Sequence, residues 1–247
     1  MNRTVRYIYG RPCPDSDALL PQPHWCPLRT NLPDKLLVTA IVCTAMTACA
    51  TTQPVPYSGI PSSSLLQPAP HDESGRIPYA YSGDVDWLAY SGTLVEPVAI
   101  YGDADAQFEK IDEQEKLDLA RYMYTEFRTA LNQRFPIAGQ QGPGILRVRL
   151  TLTGAKPNKA VLSTFTKFDM AGLPYNTVQS LRGKEGLLSG SVSYAVEVSD
   201  SVTGEVLLAY VTKQYPNAMN VKASIGALSA ARTGIRKGAG ELLARMQ

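Results

Sequence analysis

Between residues 146 and 153 apolar and polar side chains alternate without a break: Leu146, Val148, Leu150 and Leu152 against Arg147, Arg149, Thr151 and Thr153. Successive side chains of an extended strand leave opposite faces, so this segment has one packed face and one wet face. Such a strand cannot stand alone. It needs partners in a sheet and a second layer over its apolar side, and the rest of the chain must supply both.

Strand partners are readable on either side. In 191–200 Val192, Tyr194, Val196 and Val198 alternate, a turn follows over 200–204, and 206–211 returns as the second arm of a hairpin. A further strand is expected over 93–101. There Pro97, which has no N–H to give a ladder, belongs near an edge or a bulge. Tyr79, Tyr81, Trp87 and Tyr90 precede it, either as an aromatic binding face or as cover for the core edge.

Helical segments supply the second layer. Over 112–135 Asp112 is placed to cap, with Glu115 three residues on, and the acidic first turn suits the positive end of the helix dipole. Leu117, Ala120, Tyr124, Phe127 and Leu131 form the expected buried stripe, widened by Met123 and Ala130, and Pro136 closes the segment. A last helix over 221–246 spaces Val221, Ile225, Leu228, Ile235, Ala239, Leu242 and Met246 by three and four. Its glycines at 226, 234, 238 and 240 each cost about 1 kcal/mol relative to alanine. Ala230, Gly234 and Gly238 make a small stripe that lets another backbone come close. The element order predicts the α+β class: a two-layer sandwich with two helices on one face of a mixed or antiparallel sheet of about four strands.

The segment 36–49, LLVTAIVCTAMTAC, has a different character. Lys35 gives a positive flank, an apolar run of about 11 residues follows, and small residues lead into Cys49. The run is too short to span a bilayer, which takes about 20 residues, and it carries no amphipathic stripe. It reads as a lipoprotein signal peptide over 35–48, with Cys49 as the lipidated first residue of the mature chain. Ala50 after the cysteine fits an outer-membrane address, facing the periplasm. Several acyl chains on one cysteine hold a protein stably on a membrane. Residues 1–34 are either a leader or the product of a mis-called start.

Removal of 1–48 takes five basic and three acidic residues, leaving 19 of each sign. A neutral domain has no electrostatic grip on nucleic acid. Cys13, Cys26 and Cys43 go too, so beyond Cys49 the mature chain has no cysteine, and its one histidine is His71. Zinc sites and Ser-His or Cys-His catalysis therefore lack ligands and bases, and no cofactor motif occurs. Asp103 and Asp105 have the alternate spacing of a calcium loop, but Phe108 and Gln114 stand where glycine and a bidentate glutamate belong, so capping and a solvated face account for the acids.

Pro- and Ser-rich residues 49–76 are expected to form a tether reaching tens of ångströms from the membrane, and 77–247 the globular domain. Within the domain, 154–190 is a long irregular insertion. Its Phe165, Phe168, Met170, Leu173 and Tyr175 either close over the sheet or form a partner or ligand surface. Arg147 and Arg149 either bind an anion or line a solvated strand face.

The 46–49 cleavage site, the tether, Val95-Glu96-Pro97-Val98, the helix, Gly142-Pro143-Gly144-Ile145-Leu146-Arg147-Val148 and Asp200-Ser201-Val202-Thr203-Gly204-Glu205-Val206 together resemble an uncharacterised family of Gram-negative lipoproteins, the domain of unknown function 3313. That resemblance covers about 82–247 and implies no catalytic residues. The expected function is a non-catalytic, lipid-anchored envelope protein that binds another envelope protein or the cell wall. The alternative is a hydrolase or glycan-processing enzyme using carboxylates such as Asp169, Glu185 or Glu197 with a serine such as Ser189.

Overall fold

The alternating segment becomes the longest strand of the sheet, Ile145–Lys156, and every other element is arranged on it. The computed structural model describes residues 53–70, 72, 74–158, 190–216 and 226–247. The chain divides into two units, Met1–Ala50 and Thr51–Gln247, and the sheet and both helices belong to the second.

Strands are β1 (Gln67–Pro68), β2 (Tyr79–Ser82), β3 (Gly92–Val95), β4 (Ala99–Ile100), β5 (Gln107–Phe108), β6 (Ile145–Lys156), β7 (Ser191–Asp200) and β8 (Val206–Gln214). Helix α1 is Glu113–Leu131 and helix α2 is Ser229–Arg245. The sheet runs β1-β2-β8-β7-β6, all antiparallel, and β3, β4 and β5 lie one after another along the free edge of β6, parallel to it. The fold is α+β with two helices and a mixed sheet. Its eight strands among the described residues exceed the expected four or so. Pro97 divides the expected 93–101 strand into β3 and β4. The others, β1, β2 and β5, are two to four residues long, too short to carry a period-two pattern.

Residues opposite one another in an antiparallel pair share a face. Leu150, Val196, Tyr210 and Ala80 stand in such a row, and with Leu146, Val148, Leu152, Tyr194 and Val198 they make the floor on which both helices pack. The predicted glycine stripe of α2 is what allows its approach. A Cβ on Gly234 would come within 2.9 Å of the Gln214 Cβ on β8, and one on Gly238 would overlap the Tyr194 hydroxyl on β7. Tyr194 in turn meets Phe127 of α1 edge-on, ring centroids 5.7 Å apart. Helix α2 is described from Ser229, so Val221 and Ile225 lie outside the described residues.

The other face corrects two expectations. Arg147 and Arg149 are partly exposed on it. Beyond Thr151, a second apolar cluster of Tyr57, Ile60, Tyr101, Ala195 and Val211 covers it. Two of those residues come from the segment expected to be tether, yet Tyr57 is 1% exposed and Ile60 3%. Tyr57, Ile60 and Leu66 give this segment enough apolar surface to seat on the sheet, and a 3-10 turn, Pro61–Leu65, compacts it. Tyr57 stacks edge-on to Tyr101 at 5.2 Å, and the Ser63 hydroxyl donates to the Pro56 carbonyl at 2.6 Å.

Candidate functional site

Helix α1 begins as its sequence predicts. The Asp112 side chain accepts from the Glu115 N–H at 2.7 Å and the Glu115 carboxylate accepts from the Asp112 N–H at 3.1 Å, a reciprocal cap. The helix ends at Leu131, four residues short of the expected 135, with Asn132 capping and its side-chain oxygen accepting from the Ile137 N–H. Its buried stripe is Leu119, Ala120, Met123, Phe127 and Leu131. Leu117, expected inside, is 43% exposed, while Leu119 is fully buried. The helix carries two overlapping apolar stripes about 100° apart, one residue out of step, and packing against α2 and β7 turns the 119–123–127 stripe inward.

The second stripe faces the sheet edge. Pro97 interrupts the edge strand, so the chain at 96–98 leaves the ladder between the Glu96 N–H, bonded to the Val148 carbonyl, and the Tyr101 N–H, bonded to the Leu152 carbonyl. Between this outward bend and α1 runs a groove of about 570 Å³ floored by Pro97, Val98, Ile100, Leu117 and Ala120 and bounded by Arg121, Tyr124 and Thr125. Tyr124 and Thr125 also border a second hollow of about 590 Å³, with Arg128, Thr129, Asn132, Pro136 and Ile137. The Arg128 guanidinium lies 5.9 Å from the Tyr124 ring centroid and donates to its hydroxyl at 3.2 Å. Arg121 sits on an exposed ion pair with Asp118 at 3.4 Å, a contact that water screens heavily. The two hollows adjoin at Tyr124 and Thr125 and together make a trough along α1, apolar at its Leu117 end and mostly polar at its Asn132 end, with Arg121 and Arg128 on its border.

On the opposite face Arg147 and Arg149 are occupied. Arg147 Nε lies 3.4 Å from Glu96 Oε1, and Arg149 Nε 3.1 Å from Glu96 Oε2. Arg149 stands directly across from Glu197 on β7, with Nη1 3.9 Å from Oε2. Glu197 is buried, and its other oxygen accepts from the Ser62 N–H at 2.9 Å. The guanidinia thus already hold carboxylates, and Glu197 fastens the N-terminal segment to the sheet. Of the carboxylates considered for catalysis, Glu197 alone is described; Asp169 and Glu185, with Ser189, lie outside the described residues. So do Cys49 and the expected surface of Phe165, Phe168, Met170, Leu173 and Tyr175. Among the described residues no group of three or more His, Cys, Asp or Glu side chains is placed to hold a metal ion. Trp87 and Tyr90 pack on the main core, and Tyr79 on the second cluster, so these aromatics cover the core edge.

The trough was not legible as a site. Its one sequence signal is Leu117 itself, an apolar residue left over once the 119–131 stripe is chosen for the core.

A sheet of this topology with two helices on one face defines an α+β domain. The family described as protein of unknown function DUF3313 matches residues 56–242, and the chain belongs to that family. Among solved structures it is similar to the PelC dodecamer from Paraburkholderia phytofirmans, at 14% identity and a TM-score of 0.36, covering 66% of this chain and 94% of that one. It is also similar to protein XCC0632 from Xanthomonas campestris, described under family DUF330, at 11% identity and a TM-score of 0.31, covering 66% and 87%. A third is the hypothetical protein CT253 from Chlamydia trachomatis, at 9% identity and a TM-score of 0.33, covering 64% and 98%. No curated protein matches in sequence.

Proposed function

We propose that this protein is a lipid-anchored component of the cell envelope, held on the periplasmic side of the outer membrane through Cys49, and that it works as a non-catalytic binding or accessory module. The trough along α1 carries the binding part of this reading. Its apolar floor, with Leu117 43% exposed, and its rim of Arg121 and Arg128 suit an apolar segment of another envelope protein that bears acidic side chains. The 36–49 segment carries the anchor. Of the carboxylates in the hydrolase reading, Glu197 is the one described: one oxygen accepts from the Ser62 N–H at 2.9 Å, and the other lies 3.9 Å from Arg149 Nη1 without a hydrogen-bond partner among the described residues. No helix among the described residues is long and apolar enough to cross a membrane.

Leu117→Glu tests the trough. The position is partly exposed, so folding stability should change by at most about 0.5 kcal/mol, while an envelope partner captured by cross-linking to the native chain should be lost. Retention of that partner, or a native chain that captures none, refutes the binding reading. Intact mass of membrane-extracted protein beside Cys49→Ser tests the anchor; an unacylated full-length mass refutes it.

A further inference from the structure

The N-terminal segment limits how far from the sheet a lipid attached at Cys49 can lie. Pro54, Tyr57 and Ile60 are buried, Ser62 is bonded to Glu197, and the Gln53 carbonyl accepts from the Gln107 side chain of β5 at 2.9 Å. The chain is therefore committed to the sheet from Gln53 onward. Only four peptide steps separate Gln53 from Cys49, a span of at most about 14 Å when fully extended. The headgroup layer on each side of a bilayer is itself about 5–8 Å deep, so much of that reach is used within it.

We propose that the β5 end of the domain, the turn 102–110 beside Gln53, is the surface apposed to the bilayer, a proposal that rests on the lipidation of Cys49. The expected long tether is replaced by a short leash. Gly102, Asp103, Ala104 and Asp105 are exposed here, with Glu109 and Lys110 beyond them. Phe108 of this turn packs on the core beneath Lys116, and Val55, 37% exposed, is the large apolar side chain nearest Gln53 in the chain; the exposed positions of the turn itself are small or charged, and their excess of carboxylates is repelled by an anionic surface. The fitting partner is the polar headgroup layer of a zwitterionic leaflet, whose ammonium groups can meet Asp103 and Asp105. The opposite end of the sheet is remote. Gly154, beside Gln107, and Ile145 are nine residues apart on β6, about 30 Å at strand rise. At that far end the Ser201 N–H is bonded to the Ile145 carbonyl, and Val202 stands exposed at the hairpin tip.

The test uses the full, lipidated chain in phosphatidylethanolamine–phosphatidylcholine vesicles containing lipid with a nitroxide on its headgroup. Ala104→Cys and Val202→Cys, both at exposed positions, each supply a thiol for a fluorophore; Cys13, Cys26 and Cys43 leave with the signal and Cys49 is acylated. The label at 104 should lose most of its emission and the label at 202 little. A twelve-residue Gly-Ser insertion after Thr51 should remove the difference. Equal quenching at both sites in acylated, vesicle-bound protein overturns the apposed surface while leaving the anchor intact. Protein that carries no acyl mass and does not float with the vesicles overturns both.

Discussion

Alanine at Gly238 and alanine at Gly240 should shift stability in opposite directions, although the positions are two residues apart in one helix. Each change gains about 1 kcal/mol of helix propensity. At 240 an added Cβ meets nothing within 4 Å, so that gain stands. At 238 the Cβ would overlap the Tyr194 hydroxyl and lie 2.9 Å from Tyr194 Cζ. Tyr194 is fully buried and held edge-on against Phe127, so it cannot swing aside without disturbing α1. Overpacking at a rigid aromatic falls in the upper part of the usual range, about 2–3 kcal/mol, which leaves a net loss of about 1–2 kcal/mol. For a domain near 200 residues 1 kcal/mol corresponds to about 2–4 °C, so Tm should fall by about 2–8 °C in Gly238→Ala and rise by about 2–4 °C in Gly240→Ala. Thermal and urea unfolding followed by circular dichroism measure both. Tyr194→Phe removes a hydroxyl that has no hydrogen-bond partner among the described residues, and in that background Gly238→Ala should lose much of its penalty. If Gly238→Ala stabilises as much as Gly240→Ala, α2 is not seated on Tyr194 and the packing argument fails.

Two further expectations concern local features. Asp112→Ala removes the reciprocal cap of α1 and should cost about 1 kcal/mol, read from the urea midpoint; no change would mean the first turn is held by other contacts. Burial pushes the Tyr57 hydroxyl up to about 12, against an ordinary value of 10.0, so above pH 10 the unfolded chain releases a proton that the folded chain keeps. Stability should therefore decline as pH rises from 10 toward 12. The decline should be shallower in Tyr57→Phe, and stability that holds or increases across that window in the native chain would contradict the burial of Tyr57 between the N-terminal segment and the sheet.

The sequence by itself determined the elements whose physics is local. The capping pair Asp112–Glu115, the alternation of β6, the β7–β8 hairpin and the small stripe of α2 each write their conformation in residues a few positions apart, and each appears where the spacing puts it. Tertiary structure decided what depends on neighbours distant in the chain. Two-residue strands exist only because β6 and β2 offer them an edge. Which of the two apolar stripes of α1 turned inward was settled by contact with α2 and β7, and that choice left Leu117 to line the trough. Arg147, Arg149 and Glu197 are charged residues whose meaning depended on what lay opposite, and Glu96 and Ser62, 53 and 135 positions from Arg149 and Glu197 respectively, are beyond any local pattern. The N-terminal segment makes the same point. Its prolines and serines read as a chain without regular structure, yet a 3-10 turn and strand β1 form in it, and whether such a chain floats or seats depends on an apolar patch of Ala195, Val211 and Tyr101 receiving Tyr57 and Ile60, which only the assembled sheet provides.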